Sequence, residues 1–158
     1  MCSITAILNL KGKGSEIRKE ALEISKRQRH RGPDWSGVFQ HENAVLVHER
    51  LAIVDVSSGA QPLIDSETGT ALAVNGEIYN HKKLRAQSEG FPYRTGSDCE
   101  VILSLYRELG RDLVNKLEGM YAFVLYDTKD DSWLIARDPI GIIPLFYGHD
   151  REGRLYVT

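Results

Sequence analysis

Residues 3–9 form a short, mainly apolar run, which predicts a buried strand at the head of the chain. After the turn Lys11-Gly12-Lys13-Gly14 the spacing changes. Ile17, Ala21 and Ile24 recur on one face of a helix that Ser15 can cap. That helix ends before Gly32-Pro33, because proline disfavours helical geometry in the residue before it. Strand-like segments follow at 35–39, 44–48, 51–54 and 70–75, with turn chemistry at Ser57-Ser58-Gly59 and 65–69. Residues 82–88 read as a short helix. A better-marked helix starts at Ser97-Asp98-Cys99-Glu100, which has capping-box spacing, and shows an apolar face of Val101, Ile102, Leu105 and Leu109. Segments 120–126, 132–136, 145–148 and 155–157 predict four more strands, with turns at 127–131, 138–144 and 150–153. Strands in runs with few helices between them predict an α+β fold with antiparallel sheets, not a parallel βαβ array. A length of 158 residues without repeat or linker suits one domain. The chain stops inside strand-like Tyr156-Val157-Thr158, which reads as a truncation of a longer protein.

The net charge of −2 arises from 20 basic and 22 acidic residues mixed along the chain, so nucleic acid and anionic membranes are poor candidate partners. No apolar run approaches the ~20 residues that span a bilayer. The start, Met-Cys-Ser-Ile-Thr-Ala, lacks the positive segment of a secretory signal. Two cysteines cannot build a disulfide framework, so a reducing, cytoplasmic setting is expected.

Cys2 is the first residue with chemical promise. If Met1 is removed, one residue carries both a thiol and a free α-amine, and an amine of pKa ~8 can accept the thiol proton near neutrality. The plainer alternative is an inert small hydrophobe heading a strand. The pair Asn75-Gly76 usually marks a hairpin turn. Here the second arm would be only residues 77–79, so a strand-to-helix junction is the rival reading. There the Asn75 amide and the Gly76 N–H could converge on a developing oxyanion. Arg50 places a fixed charge in an apolar segment and suits a carboxylate, or else pairs with Glu49 or Asp55 at the surface. Asp98 either complements a helix dipole or faces a ligand's ammonium. The five histidines lack zinc spacing, Gly12-Lys13-Gly14 is too short for a nucleotide loop, and no serine has a nucleophile-elbow context. No metal, ATP or dinucleotide site is therefore expected.

In order and spacing, several segments resemble the amidotransferase domain of glutamine-dependent asparagine synthetases. They are Met1-Cys2-Ser3-Ile4, Arg29-His30-Arg31-Gly32-Pro33-Asp34-Trp35-Ser36-Gly37, residues 48–55 with Gly59-Ala60-Gln61-Pro62-Leu63, residues 75–80, Thr95-Gly96-Ser97-Asp98, Leu117-Glu118-Gly119-Met120, and residues 136–145. The resemblance covers essentially the whole chain. It implies an N-terminal-nucleophile hydrolase fold, two antiparallel sheets sandwiched between helical layers, over residues 2–158. It implies that Cys2 attacks the side-chain amide of L-glutamine, with its own α-amine as base and Asn75 and Gly76 as the oxyanion hole. Arg50 would bind the substrate α-carboxylate, Asp98 with Gly76 and Glu77 the α-ammonium, and the backbone of Leu51, Ala52, Ile53 and Val54 would line the pocket. Arg31 to Asp34 and the 138–144 loop would be scaffolding. No cofactor is implied in this domain. ATP and magnesium belong to a C-terminal synthetase domain, the expected partner, for which 158 residues leave no room; a homodimer is a candidate assembly. The sequence departs from the family at Thr5-Ala6, where an aromatic and a glycine often stand. Two rival functions remain at this point: an amidotransferase module feeding a sugar-phosphate or phosphoribosyl acceptor, and a non-catalytic glutamine-binding module in which Met1 is retained.

Overall fold

The computed structural model describes residues 1–52 and 58–158. Among the described residues, nine strands form two antiparallel sheets, accompanied by three α-helices. The first sheet contains β1 (Ser3–Leu8), β2 (Trp35–Gln40), β3 (Ala44–Arg50), β8 (Tyr147–His149) and β9 (Leu155–Val157), in the order β2-β3-β1-β9-β8. The second contains β4 (Leu63–Asp65), β5 (Thr70–Ile78), β6 (Gly119–Asp127) and β7 (Ser132–Arg137), in that order. Helix α1 (Gly14–Lys26) covers the outer face of the first sheet. Helices α2 (His81–Gln87) and α3 (Val101–Leu109) cover the outer face of the second. Among the described residues no helix is long and apolar enough to cross a membrane.

Period-two alternation explains the layering. On β1, Ile4, Ala6 and Leu8 join Ala71, Ala73, Val124 and Tyr126 of the second sheet in the central core. Ile7, one residue out of phase, packs instead with Ile17 and Ala21 of α1. On β5, Leu72 and Val74 face α3, against Val101, Ile102 and Leu105. The order helix, sheet, sheet, helix is the expected sandwich.

Local chemistry moves several boundaries. Ser15 does not cap α1: the helix begins one residue earlier, at Gly14, behind Lys13, which forms no side-chain cap. Gly14 is needed there because a Cβ would lie 1.8 Å from the His41 carbonyl oxygen. Ser97 does cap, accepting the Cys99 N–H at 3.3 Å at the start of a 3-10 turn, Asp98–Glu100, that leads into α3. Glu100 does not close the box. Its carboxylate accepts the backbone N–H groups of Arg94 and Thr95 at 2.8 and 2.9 Å and so pins the loop before the turn. The three-residue β4 and the 3-10 segment Gly110–Lys116 carry too short a pattern to be read from sequence. Leu51 and Ala52 lie outside any strand; the rest of the strand expected at 51–54 falls outside the described residues.

Two features of β5 bear on stability. Gly76 has φ +150°, and a Cβ there would lie 2.1 Å from the Met120 carbonyl oxygen of β6. His48 of β3 is fully buried between the sheets, and its Nε2–H donates to the Val74 carbonyl at 2.9 Å. Nδ1 meets no partner among the described residues. Burial foremost, and then the positive charge of Arg50, pull the His48 pKa down from 6.5 to about 4, against the opposing pull of the Val74 hydrogen bond.

Two outcomes are expected. Gly76→Ala should lower the urea midpoint by an amount equivalent to about 1–3 kcal/mol, through overpacking and the unfavourable φ. For His48 the folded-state pKa lies below the unfolded one, so protons favour the unfolded chain. Its contribution is complete above pH 6.5 and is lost as pH falls to about 4. Over that window the wild type should lose roughly 3 kcal/mol more stability than His48→Gln, measured by urea unfolding at each pH.

Candidate active site

Cys2 immediately precedes β1 and shares the phase of Ile4, Ala6 and Leu8, so its side chain points toward the gap between the sheets. It is half-buried there. The thiol donates to the Leu51 carbonyl at 3.6 Å, and the Leu51 N–H points at the sulfur from 3.4 Å. Arg31 Nε donates to the Cys2 carbonyl at 3.3 Å and holds the head of the strand. Met1 lies at the lip of the same cleft, half exposed.

Asn75-Gly76 is not a hairpin turn. It lies within β5, which runs on to Ile78 before α2 begins at His81. Asn75 pairs with Ala122 and Gly76 with Tyr121 of β6. Tyr121 directs both of its backbone groups at Asp138 on its other side: Asp138 N–H donates to Tyr121 O at 2.8 Å, and Tyr121 N–H to Asp138 Oδ2 at 3.3 Å. The Gly76–Tyr121 pair is therefore of the kind that turns its N–H and C=O outward. The Gly76 carbonyl meets the Cys99 thiol at 3.8 Å on that outer edge, and the Gly76 N–H faces the cleft. Asn75 keeps the phase of Ala71 and Ala73, toward the same inter-sheet gap as Cys2.

These elements surround a cleft that opens to the surface. It brings together Cys2, Arg50, Leu51, Asn75, Gly76, Glu77 and Asp98, each singled out from sequence. Ala52 is not among its lining residues; its N–H donates to Asp34 Oδ2 at 2.8 Å. Ile53 and Val54 lie outside the described residues. Sequence reasoning missed the contributions of Gln61, Ser97, Cys99 and Met120 to the wall. For Gln61 the available signal was a glutamine beside a proline in a short apolar segment, too common to single out.

Arg50 is buried at the end of β3 and is not a surface residue. Glu49, one residue away, points to the opposite face, where the hydroxyls of Ser25 (2.7 Å) and Ser36 donate to its carboxylate. That removes Glu49 as the Arg50 partner considered above. Asp98 is also buried, and its Oδ2 accepts the Ile78 N–H at 2.7 Å. The cleft thus carries a guanidinium and a carboxylate, both largely withdrawn from water, where their fields act strongly. The two cysteines are unlike. Full burial, reinforced by the neighbouring Asp98 carboxylate, pushes the Cys99 thiol up and makes it a poor nucleophile.

Scaffolding surrounds the site as expected. Asp34 N–H donates to the Arg50 carbonyl at 3.0 Å, and a Cβ on Gly32 would lie 2.2 Å from the Glu49 carbonyl oxygen. Burial alone would raise the Asp138 carboxyl pKa. Backbone N–H donors from Ile142 (2.9 Å), Ile143 (3.2 Å) and Tyr121 (3.3 Å) instead hold it below the usual range and tie the 138–143 loop to β6.

The profile of the glutamine amidotransferase domain family matches residues 1–158. The chain is 55% identical over its whole length to asparagine synthetase B [glutamine-hydrolyzing] of Escherichia coli, of which it covers 29%. It is 50% identical to the probable glutamine-hydrolyzing asparagine synthetase of Dictyostelium discoideum, covering all of this chain and 29% of that protein. It is 51% identical to an Arabidopsis thaliana asparagine synthetase, over 99% of this chain and 27% of that protein. The chain thus spans under a third of the length of these relatives. The glutamine phosphoribosylpyrophosphate amidotransferase of Bacillus subtilis superposes with a TM-score of 0.72 at 19% identity, over 99% of this chain and 41% of that one. The two share the N-terminal-nucleophile hydrolase fold. On fold, cleft and sequence together, the chain belongs to the glutamine amidotransferase domain family.

Proposed function

We propose that the chain hydrolyses L-glutamine to glutamate and ammonia at Cys2. The observation that carries this reading is the convergence of Cys2, Asn75, Gly76, Arg50 and Asp98 on one cleft. Removal of Met1 frees the α-amine of Cys2, which takes the thiol proton. The sulfur attacks the side-chain amide carbon, and the oxyanion so formed is held by the Asn75 amide and the Gly76 N–H. As the tetrahedral adduct collapses, the C–N bond breaks, the nitrogen takes up a proton and ammonia leaves, with a γ-glutamyl thioester on Cys2. Water, deprotonated by the same amine, then attacks the thioester, and glutamate is released with the thiol restored. Arg50 grips the α-carboxylate. Asp98, with Gly76 and Glu77, receives the α-ammonium, so each end of the amino acid meets its opposite charge.

The relatives' names support asparagine synthesis as the use of the ammonia, with the acceptor chemistry, ATP and magnesium assigned to sequence outside these 158 residues. The arginine segment His48-Glu49-Arg50-Leu51 favours that branch over phosphoribosyl-directed relatives. A cytoplasmic setting fits the reduced thiols.

Glutaminase assays with intact-mass measurement test the reading. Processed protein should release ammonia, Cys2→Ala should release none, and chain retaining Met1 should be inactive. Full activity with Met1 in place overturns the mechanism. Asn75→Ala should lower kcat by about 10²–10³-fold, the usual cost of one oxyanion donor. Asp98→Asn should act chiefly on KM for glutamine, because the ammonium keeps a dipole and loses a charge.

A further inference from the structure

β4 pairs with β5 only from Thr70 to Leu72, so among the described residues no strand lies beside the outer edge of β5 beyond Leu72. Val74, two residues on, turns its backbone groups to this edge and is buried. Buried backbone groups left without partners cost a large fraction of a domain's net stability. Two side chains supply them. Gln61 Oε1 accepts the Val74 N–H at 2.8 Å, and His48 Nε2–H donates to the Val74 carbonyl at 2.9 Å. They come from different parts of the fold: Gln61 from the segment before β4, and His48 from β3 in the opposite sheet. His48 does not line the cleft, so anything it does there passes through Val74. The next residue is Asn75 and the one after it is Gly76.

We propose that His48 and Gln61 are positioning residues for amide hydrolysis, satisfying the backbone of Val74 from the side and fixing the Asn75 amide and the Gly76 N–H where the oxyanion forms. This rests on the oxyanion role given to Asn75 and Gly76 above. His48 is suited to the task because a neutral imidazole offers one N–H at a fixed reach, and its depressed pKa keeps it neutral at working pH. It also ties the two sheets together at the level of the cleft, so the donors on β5 are referenced to the strand that carries Arg50.

The test uses the processed, full-length protein with four readouts: kcat, KM for glutamine, the rate at which iodoacetamide alkylates Cys2, and the thermal midpoint. His48→Leu should lower kcat by about 10–100-fold, the scale expected for a displacement near 1 Å. KM should stay within about threefold and Cys2 alkylation should be unchanged, because neither depends on the oxyanion donors. His48→Gln, which keeps an N–H donor, should recover most of the loss. In an Asn75→Ala background the His48→Leu effect should shrink, since both then act on the same donor. Gln61→Met should give the same kcat-selective loss and Gln61→Glu a partial rescue, and this pair carries the test where His48→Leu does not fold. The proposal is overturned if kcat and alkylation fall together, if His48→Gln is no better than His48→Leu, or if the two losses multiply in full. If Asn75→Ala itself leaves kcat intact, it is the oxyanion assignment that fails. If Asn75→Ala is severe while the His48 and Gln61 variants are silent, only the positioning role fails.

Discussion

Everything at the cleft depends on the phase of two strands. Cys2 points between the sheets because Ile4, Ala6 and Leu8 do, and Asn75 points there because Ala71 and Ala73 do. A register slip of one residue in either strand would carry a reactive group to a helix-covered face and bury polar atoms against Ile17 or Val101. The central core therefore does more than stabilise the sandwich. By holding the phase of β1 against β3 and of β5 against β6, it brings the two halves of the site face to face.

The residues of the site are in tension with the packing that holds them. Arg50, Asn75 and Asp98 are all buried, and burial of charge or amide is unfavourable unless partners compensate. Asp98 gains the Ile78 N–H, and Asn75 stands over open space in the cleft. The two thiols are treated differently: Cys99, buried in the cleft wall beside Asp98, is held in its protonated state, whereas Cys2 is only half-buried.

Much of this was legible in the sequence, and the gaps have physical causes. The apolar runs at residues 3–9 and 120–126 marked two central strands within a residue or two of their true ends. β5 was read three residues short, ending at Asn75, because Gly76 and Glu77 break the apolar pattern at the cleft wall. The hairpin signal of Asn-Gly was overridden by the pairing of both residues with β6, which no local pattern reveals. Glu100 looked like a cap and serves the preceding loop, and Ser15 lost the cap when Gly14 allowed the helix to start against His41. His48 stands in the apolar run 44–50 with no outward mark of its role. Its partner, a carbonyl in the other sheet, is a tertiary fact.

Gly76 has a consequence of a different kind. Its backbone angle and the Met120 carbonyl admit no side chain, so any replacement there disturbs the sandwich before it disturbs the chemistry. The donor that Gly76 offers belongs to the main chain and is beyond the reach of ordinary codon changes. A survey of substitutions would file this position under folding alone. Separating that steric constraint from the proposed oxyanion role calls for an edit that spares the carbon skeleton, such as exchanging that one amide for an ester by semisynthesis.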